Sequence, residues 1–268
     1  MDIGILGPLT VRSTGGQAVP TAPKPRQLLA LLAARAGLVV PVDLLVDELW
    51  QDDPPAHVLT VLQTYIMQLR QSLARARGAS TAEVAREILP YSGWGYRLVV
   101  DRERSDASVF ARYAEQGRRA LLNGENDQAS ALLRRALQVW RGPALADVRV
   151  GAHLLAHRTS LTESRLGVIE QRVEADLRIG RHHELIDELT GLVERHPLHE
   201  NLCALLIIAL YRAGQPARAL DAFERLRTNL REALGIDPSP RVRNLRQAVL
   251  DATPRAEPGE PLRAGCSP

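Results

Sequence analysis

The side chains best suited to recognition chemistry lie between residues 56 and 77, where apolar residues recur at the spacing of one helical stripe. The opposite side of this predicted helix is polar and contains no carboxylate. Its central residues are Thr60, Thr64, Met67 and Gln71, and its flanking residues are Gln63, Gln68 and Arg70. Hydroxyl, amide and guanidinium groups hydrogen-bond base edges and phosphates, and the major groove of DNA admits one helix. The pattern therefore favours a helix that reads DNA, and a neutral solvent-facing surface is the alternative interpretation.

Short strands, two further helices and a hairpin are predicted around this helix. Residues 1–20 alternate in polarity and turn at Gly-Pro and Gly-Gly pairs, which is typical of antiparallel strands. The three predicted helices cover residues 25–37, 42–50 and 56–77. Two apolar runs, 87–91 and 95–100, enclose a glycine-containing turn and predict a hairpin that carries Trp94. Together these elements predict a winged helix over residues 1–100.

Residues 105–252 are predicted to be helical almost throughout. The predicted helices cover residues 106–122, 126–139, 151–179, 182–195, 199–212, 216–234 and 240–251. Gly124, Gly180 and Gly214 are each followed by a small or apolar residue at offsets of 5, 9 and 12, which is typical of tetratricopeptide (TPR) repeats. The predicted fold class is mainly α with a small β component, a winged helix-turn-helix followed by an all-α TPR-like domain. The Pro-rich segment 253–268 is predicted to be a disordered tail.

Composition argues against several classes of protein. Among the 34 basic residues only Lys24 is a lysine, so a P-loop nucleotide site and lysine Schiff-base chemistry are excluded. Cys203 and Cys266 cannot build a disulfide framework or a Cys-based zinc site. His153 and His157 share a helical face but lack a third metal ligand. Because there is no membrane-length apolar run and no basic secretory leader, we expect a cytoplasmic protein without a membrane partner. Since no set of residues forms a recognisable active site, we also expect a protein that is not an enzyme and needs no cofactor or metal.

Two ordered sets of motifs carry a family resemblance. In the first 100 residues they are Leu6-Gly7-Pro8, residues 23–30, Leu49-Trp50 with Pro54-Pro55, Tyr65-Ile66 with Leu69-Arg70, and residues 95–98. Later in the chain they are residues 140–147, 180–185, 196–200, 209–214 and 234–240. Because these motifs occur in the same order as in the SARP family of bacterial transcription activators, the chain resembles that family. The resemblance implies an OmpR-type winged helix, the effector fold of two-component systems, over residues 1–100 and a bacterial transcriptional activation domain over residues 105–252.

The same resemblance implies partners and a role. Members of the family bind direct repeats of double-stranded DNA at promoters, so we expect a homodimer on DNA within the nucleoid. They recruit the RNA polymerase holoenzyme, including its sigma factor, to switch on clusters for secondary metabolites such as antibiotics. The family's polymerase-contact loop corresponds to Gln51, Asp52 and Asp53. Trp50, beside this loop, is predicted to be a core anchor.

One departure from the family pattern concerns charge. Gln68 and Gln71 occupy positions that are usually basic in the family, and an amide can pair with adenine but neutralises no phosphate. Either the preferred DNA site differs from that of the family, or phosphate contacts come from other groups, such as Lys24, Arg26, Arg70 and Arg97. Trp94 is interpreted either as ordinary hairpin packing or as a contact that lays the wing along the DNA backbone. The departure keeps open a second hypothesis, a TPR-like protein-binding adaptor with a degenerate winged helix.

Overall fold

The computed structural model describes residues 1–252, apart from the side chain of Arg102. The predicted fold class is confirmed, because helices dominate the described chain and its short strands all precede residue 100. The described residues form two compact units, one from Met1 to Arg172 and one that starts at Val173. The predicted disordered tail, 253–268, lies outside the described residues.

The first 100 residues contain two small sheets and four helices. β1 (Asp2–Gly4), β2 (Thr10–Ser13) and β3 (Gly16–Gln17) form an antiparallel sheet in that order. They are followed by α1 (Pro23–Ala34), β4 (Val39–Pro41), α2 (Val42–Trp50), α3 (Val58–Arg77), α4 (Thr81–Glu87) and β5 (Gly95–Arg97). β4 and β5 pair antiparallel, with Val40 opposite Tyr96. This second sheet fixes the predicted wing to the start of α2.

Helix α3 forms where its apolar stripe predicts it. Leu62, Ile66, Leu69 and Leu73 are each at most 2% exposed and pack in the core. Burial of each such side chain stabilises the fold by roughly 1.5–3 kcal/mol. The helix ends at Gly78, which has a φ of 70°. The buried stripe determines which residues of α3 face outward.

The end of α1 differs from the prediction. The apolar pattern predicts a helix that continues to Gly37, whereas α1 ends at Ala34. Gly37 has a φ of 82° and donates its N–H to Leu98 O at 2.8 Å. This bond directs the chain into β4, a strand that the apolar periodicity does not predict.

Helix α4 is also unpredicted, and it occupies the start of the run 87–91. Ser80 and Glu83 cap the helix reciprocally, because the Glu83 N–H donates to Ser80 Oγ at 3.2 Å and the Ser80 N–H donates to the Glu83 carboxylate at 2.7 Å. The prediction of a strand from residue 87 is therefore wrong. The hairpin is shorter, with a bridge between Tyr91 and Tyr96.

The loop between β1 and β2 is bound by residues from later in the first unit. A 3-10 turn (Arg102–Arg104), α5 (Asp106–Leu122), α6 (Asn126–Gln138) and the start of α7 (Ala152–Arg178) complete this unit. The Asp106 carboxylate accepts the N–H groups of Ile5 and Leu6 at 2.9 and 3.0 Å. Asp147 accepts the N–H of Leu9 at 2.7 Å. The Arg141 N–H donates to Leu6 O at 2.8 Å, so that the motif at residues 6–8 is joined to the motif at residues 140–147.

The second unit contains the end of α7 and a series of antiparallel helices. These are α8 (His182–Arg195), α9 (Glu200–Arg212), α10 (Pro216–Leu234) and α11 (Pro240–Ala252). Gly180 and Gly214 have φ values of 85° and 74° at the turns before α8 and α10. The residues at the predicted offsets from these glycines are buried, namely Leu185, Leu189, Leu192, Ala219, Phe223 and Leu226. The repeat in the sequence therefore marks the positions where helices pack.

Candidate nucleic-acid interface

The outward face of α3 consists of side chains that can contact base edges. Exposed residues of α3 include Thr60, Gln63, Thr64, Met67, Gln68, Gln71 and Arg75, and Leu59 and Arg77 are exposed as well. Thr64 Oγ1 donates to Thr60 O at 2.9 Å, which leaves the hydroxyl oxygen available as an acceptor. Because α3 contains no Asp or Glu, none of its own side chains repels a phosphate backbone. The structure brings every α3 residue of the predicted site onto this exposed face except Arg70.

Arg70 is directed into the fold. Its Nε and Nη2 donate to Leu89 O at 3.2 and 2.9 Å. Its guanidinium also lies 5.8 Å from the centroid of the Tyr96 ring, where a cation is attracted to the π face. Arg70 therefore joins α3 to the two sides of the hairpin and positions the wing. Its contact with DNA stays a prediction.

The tip of the wing presents an aromatic side chain to solvent. Trp94 is 58% exposed, and its carbonyl accepts the Val42 N–H at 3.1 Å. Tyr91 Oη donates to Gly93 O at 2.5 Å, which closes the turn. Arg97 follows on β5 and is exposed. An open groove between the wing and α3 is lined by residues of both, so that Trp94 and the outward face of α3 border the same surface.

Lys24 and Arg26 have partners inside the first unit. Lys24 Nζ donates to Leu49 O at 2.8 Å and lies 4.7 Å from the centroid of the Trp50 ring. Burial lowers the pKa of Lys24, and nearby Arg149 lowers it further. Arg26 forms an ion pair with Asp147 at 2.9 Å. These two cations hold α1 against its neighbours, and their role as phosphate ligands stays a prediction.

The loop after α2 is exposed and anchored at its start. Gln51, Asp52 and Asp53 are all exposed, and Gln51 adopts an unusual φ of 53°. Trp50 stacks on Tyr65 of α3, with the ring centroids 6.1 Å apart and the planes at 12°. Trp50 is half-buried and is not part of the buried core, in contrast to the predicted core anchor. Its stack on Tyr65 ties the acidic loop to the helix whose outer face forms the candidate interface.

Glu48 is a positioning residue that the sequence reasoning missed. It lies on α2, three residues before the loop, and is only 1% exposed. Its carboxylate accepts the N–H groups of Gly151, His153 and Leu154 at 2.6, 3.0 and 3.0 Å. Gln27 Nε2 also donates to it at 2.8 Å. Glu48 thus caps the first turn of α7 from a different helix. The sequence feature that could have indicated this role is a carboxylate within the apolar pattern of α2.

The described residues outside this interface include no metal site, no membrane span and no reactive thiol. Among residues 1–252, no three or more His, Cys, Asp or Glu side chains are placed to hold a metal ion. Within the same range, no helix is both long enough and apolar enough to cross a bilayer. Cys203 is buried in α9, and burial raises its pKa to about 12. Its thiol therefore stays protonated near neutral pH and acts as a packing group.

The geometry is that of a winged helix joined to a helical domain, and the similarities to known proteins agree with it. Residues 16–98 match the family model described as transcriptional regulatory protein, C terminal, and residues 105–250 match that of the bacterial transcriptional activator domain. The regulatory protein DnrI of Streptomyces peucetius is 49% identical over 97% of this chain and 94% of its own length. The regulatory protein AfsR of Streptomyces griseus is 35% identical over 92% of this chain, which corresponds to 24% of that relative.

A solved structure supports the same assignment. Mycobacterium tuberculosis EmbR, in complex with a low affinity phosphopeptide, superposes with a TM-score of 0.87 at 35% identity. The match covers 94% of this chain and 65% of the EmbR chain. Both family models, the nearly full-length match to DnrI and the EmbR fold lead to one conclusion. The chain belongs to the SARP family of transcriptional regulators.

Proposed function

We propose that this protein is a sequence-specific DNA-binding activator in which the outward face of α3 enters the major groove. The observation that carries the proposal is an exposed helical face of hydroxyl, amide and guanidinium side chains without a carboxylate. Amides pair bidentately with adenine, and hydroxyls contact several base edges. Arg75 and Arg77 in the last turn of α3 add positive charge that a phosphate backbone attracts.

The wing supplies the second contact of this proposal. Trp94 lines the groove that separates the hairpin from α3, and Arg97 is exposed on β5. With α3 in the major groove, the wing tip lies against an adjacent groove or its phosphates, and Arg97 neutralises one of them. Arg70 fixes the position of the hairpin relative to α3, because it donates hydrogen bonds to Leu89 O just before the hairpin.

The acidic loop supplies the contact with the transcription machinery. Asp52 and Asp53 are exposed and attached through Trp50 to α3, so a protein bound there is held at a fixed place beside the DNA. We assign this loop to the RNA polymerase holoenzyme, including its sigma factor. Two protomers on direct repeats one helical turn apart would lie on one face of the duplex. The family resemblance assigns the regulated genes to a secondary-metabolite, antibiotic-type cluster.

A titration of DNA binding tests the proposal. The full chain is titrated against the promoter region of its own gene at two salt concentrations, with a scrambled duplex as competitor. Specific binding that falls steeply with salt, and a footprint on a repeat, are expected. Gln71→Ala should lower specific affinity by about 5- to 100-fold, the range of one base contact. Gln138→Ala removes an equally exposed amide from α6 and should leave the affinity unchanged.

A second candidate function is a TPR-like adaptor whose winged helix no longer binds DNA. One observation favours it: Gln68 and Gln71 stand where basic residues are usual, and Arg70 beside them is bonded to Leu89. In the same titration this function predicts weak binding that is independent of sequence and insensitive to Gln71→Ala.

A further inference from the structure

Met67 is the one apolar side chain in the centre of the outward face of α3. At about 100° per residue it lies within roughly 40° of Thr60 and Gln71 around the helix axis. It is 47% exposed, although the other central residues of this face are polar. Gln63 precedes it by four residues and Gln71 follows it by four, so both amides lie on neighbouring turns of the same face. An exposed thioether between two amides is not explained by packing of the core.

The chemistry of the major groove offers one partner for such a group. Base edges present hydrogen-bond donors and acceptors there, and the C5-methyl of thymine is the apolar group. The methionine side chain is unbranched and has several rotatable bonds, so it can adjust to a methyl group without a fixed geometry. The groove that continues from Met67 toward the wing is also lined by Leu59 and Trp94, which are 56% and 58% exposed.

We propose that Met67 determines specificity by contacting the C5-methyl of one thymine in each half-site of the operator. The inference rests on the proposed function, because it requires α3 to lie in the major groove. Gln63 or Gln71 can pair with the adenine opposite that thymine or with a neighbouring adenine. With the amide on the opposite adenine, one A·T pair is read twice, once through hydrogen bonds and once through the methyl group. Cytosine at the same place lacks the methyl and gives no such contact.

Replacement of thymine by deoxyuridine tests this contact, because it removes the methyl and retains base pairing. The operator is first selected from a random duplex library with the full chain. Each thymine of the selected half-site is then replaced singly, and affinity is measured by fluorescence anisotropy. One replacement should weaken binding by about fourfold, the effect expected for one buried methyl group.

A double-mutant cycle assigns the contact to Met67. Met67→Ala should weaken binding to the thymine duplex and bring the thymine-to-uracil affinity ratio at that position close to one. Leu122→Ala, which truncates a 73% exposed side chain on α5, should retain the wild-type ratio. Circular dichroism of both variants verifies that the helices are intact.

The outcomes distinguish failure of the Met67 contact from failure of the proposed function. If wild-type protein selects a specific duplex but no thymine is sensitive, or if Met67→Ala keeps the wild-type ratio, this inference is wrong and the proposed function stands. If the chain enriches no sequence at all, the proposed function fails and the inference fails with it.

Discussion

Helices α3 and α10 are similar in length and burial but differ in their outer faces. Each has one apolar stripe in a core, and α10 spans 19 residues where α3 spans 20. The outer face of α10 mixes both signs of charge, and Arg227 pairs with Glu224 at 2.7 Å. The outer face of α3 has no carboxylate to pair with. A solvent-facing helix can satisfy its own charges, whereas a face intended for phosphates benefits from leaving its cations unpaired.

Three carboxylates of the first unit are bonded within its fold. Glu48, Asp106 and Asp147 accept backbone N–H groups inside the unit. Their negative charges are thus placed at structural joints and not on the outward face of α3. Asp52 and Asp53 on the α2–α3 loop are exposed, and we assign a protein contact to them. The contrast is confined to α3 itself, because other exposed carboxylates of this unit include Asp43, which lines the groove between α3 and the wing, and Glu83.

The largest effect on DNA binding is expected when a carboxylate is added to α3. Thr64→Glu places a negative charge among groups that should face phosphates and bases, and we expect a loss of affinity of about 100-fold or more. Thr228→Glu adds the same charge to an exposed site on α10 and should change affinity less than about twofold. Gel-shift titration of both variants measures the difference. Equal effects would remove the distinction between the two faces.

Removal of the Glu48 charge should have the largest effect on stability. Glu48→Gln leaves buried N–H groups of α7 without their charged acceptor, and we expect a loss of about 2–3 kcal/mol in the free energy of unfolding. Glu224→Gln removes the charge that pairs with Arg227 and Arg246 at the surface and should cost less than about 0.5 kcal/mol. Urea denaturation followed by circular dichroism provides the comparison. A Glu48→Gln midpoint equal to that of Glu224→Gln would contradict the capping role.

Arg70→Ala should weaken DNA binding by about tenfold, because it breaks charged hydrogen bonds that hold the wing. Helicity should be intact, and the slope of affinity against salt should match the wild type. If the slope of log affinity against log salt concentration is smaller in magnitude by about one, Arg70 neutralises a phosphate instead. Unchanged affinity would remove Arg70 from the interface altogether.

The smallest effect on DNA binding is expected from the acidic loop. Replacement of Asp52 and Asp53 by Asn should leave affinity within about twofold while transcription in a reconstituted assay falls, because the loop is assigned to the polymerase. Replacement of Glu125 by Gln together with Asp127 by Asn removes the same charge from exposed sites on and before α6 and serves as the control. Equal transcription by the loop variant and the wild type would contradict the loop assignment.

Most helices could be predicted from the sequence because their signals are local. The apolar stripe of α3 and the turn glycines at Gly180 and Gly214 act within a few residues of the chain. Helix α4 was missed although Ser80 and Glu83 form a capping box, since seven residues are too few for a clear apolar period. Strand β4 was missed because it is only three residues long and exists through its pairing with β5.

The candidate site was predictable in its residue types but not in the direction of each side chain. The exposed residues of α3 follow from helical periodicity once the buried stripe is known. The inward turn of Arg70 depends on Leu89 O, and the partners of Lys24 and Arg26 come from α2 and from Asp147. Periodicity within one helix carries no information about such distant acceptors. Glu48 was missed for the same reason, because the N–H groups it accepts lie more than 100 residues away.

The hydrogen bonds from Asp106 and Asp147 to the β1–β2 loop have a consequence for protein engineering. A chimaera that exchanges only residues 1–100 between relatives keeps these bonds only if the recipient retains both acceptors at matching positions. Otherwise the amides of Ile5, Leu6 and Leu9 lose their acceptors, at about 1–3 kcal/mol for each buried group. Gly151 adds a steric condition, because a Cβ there would lie 2.4 Å from Glu48 O. A chimaera designed to bind a new operator should therefore be joined after the start of α7. Residues 1–172, which form one compact unit, are then transferred together.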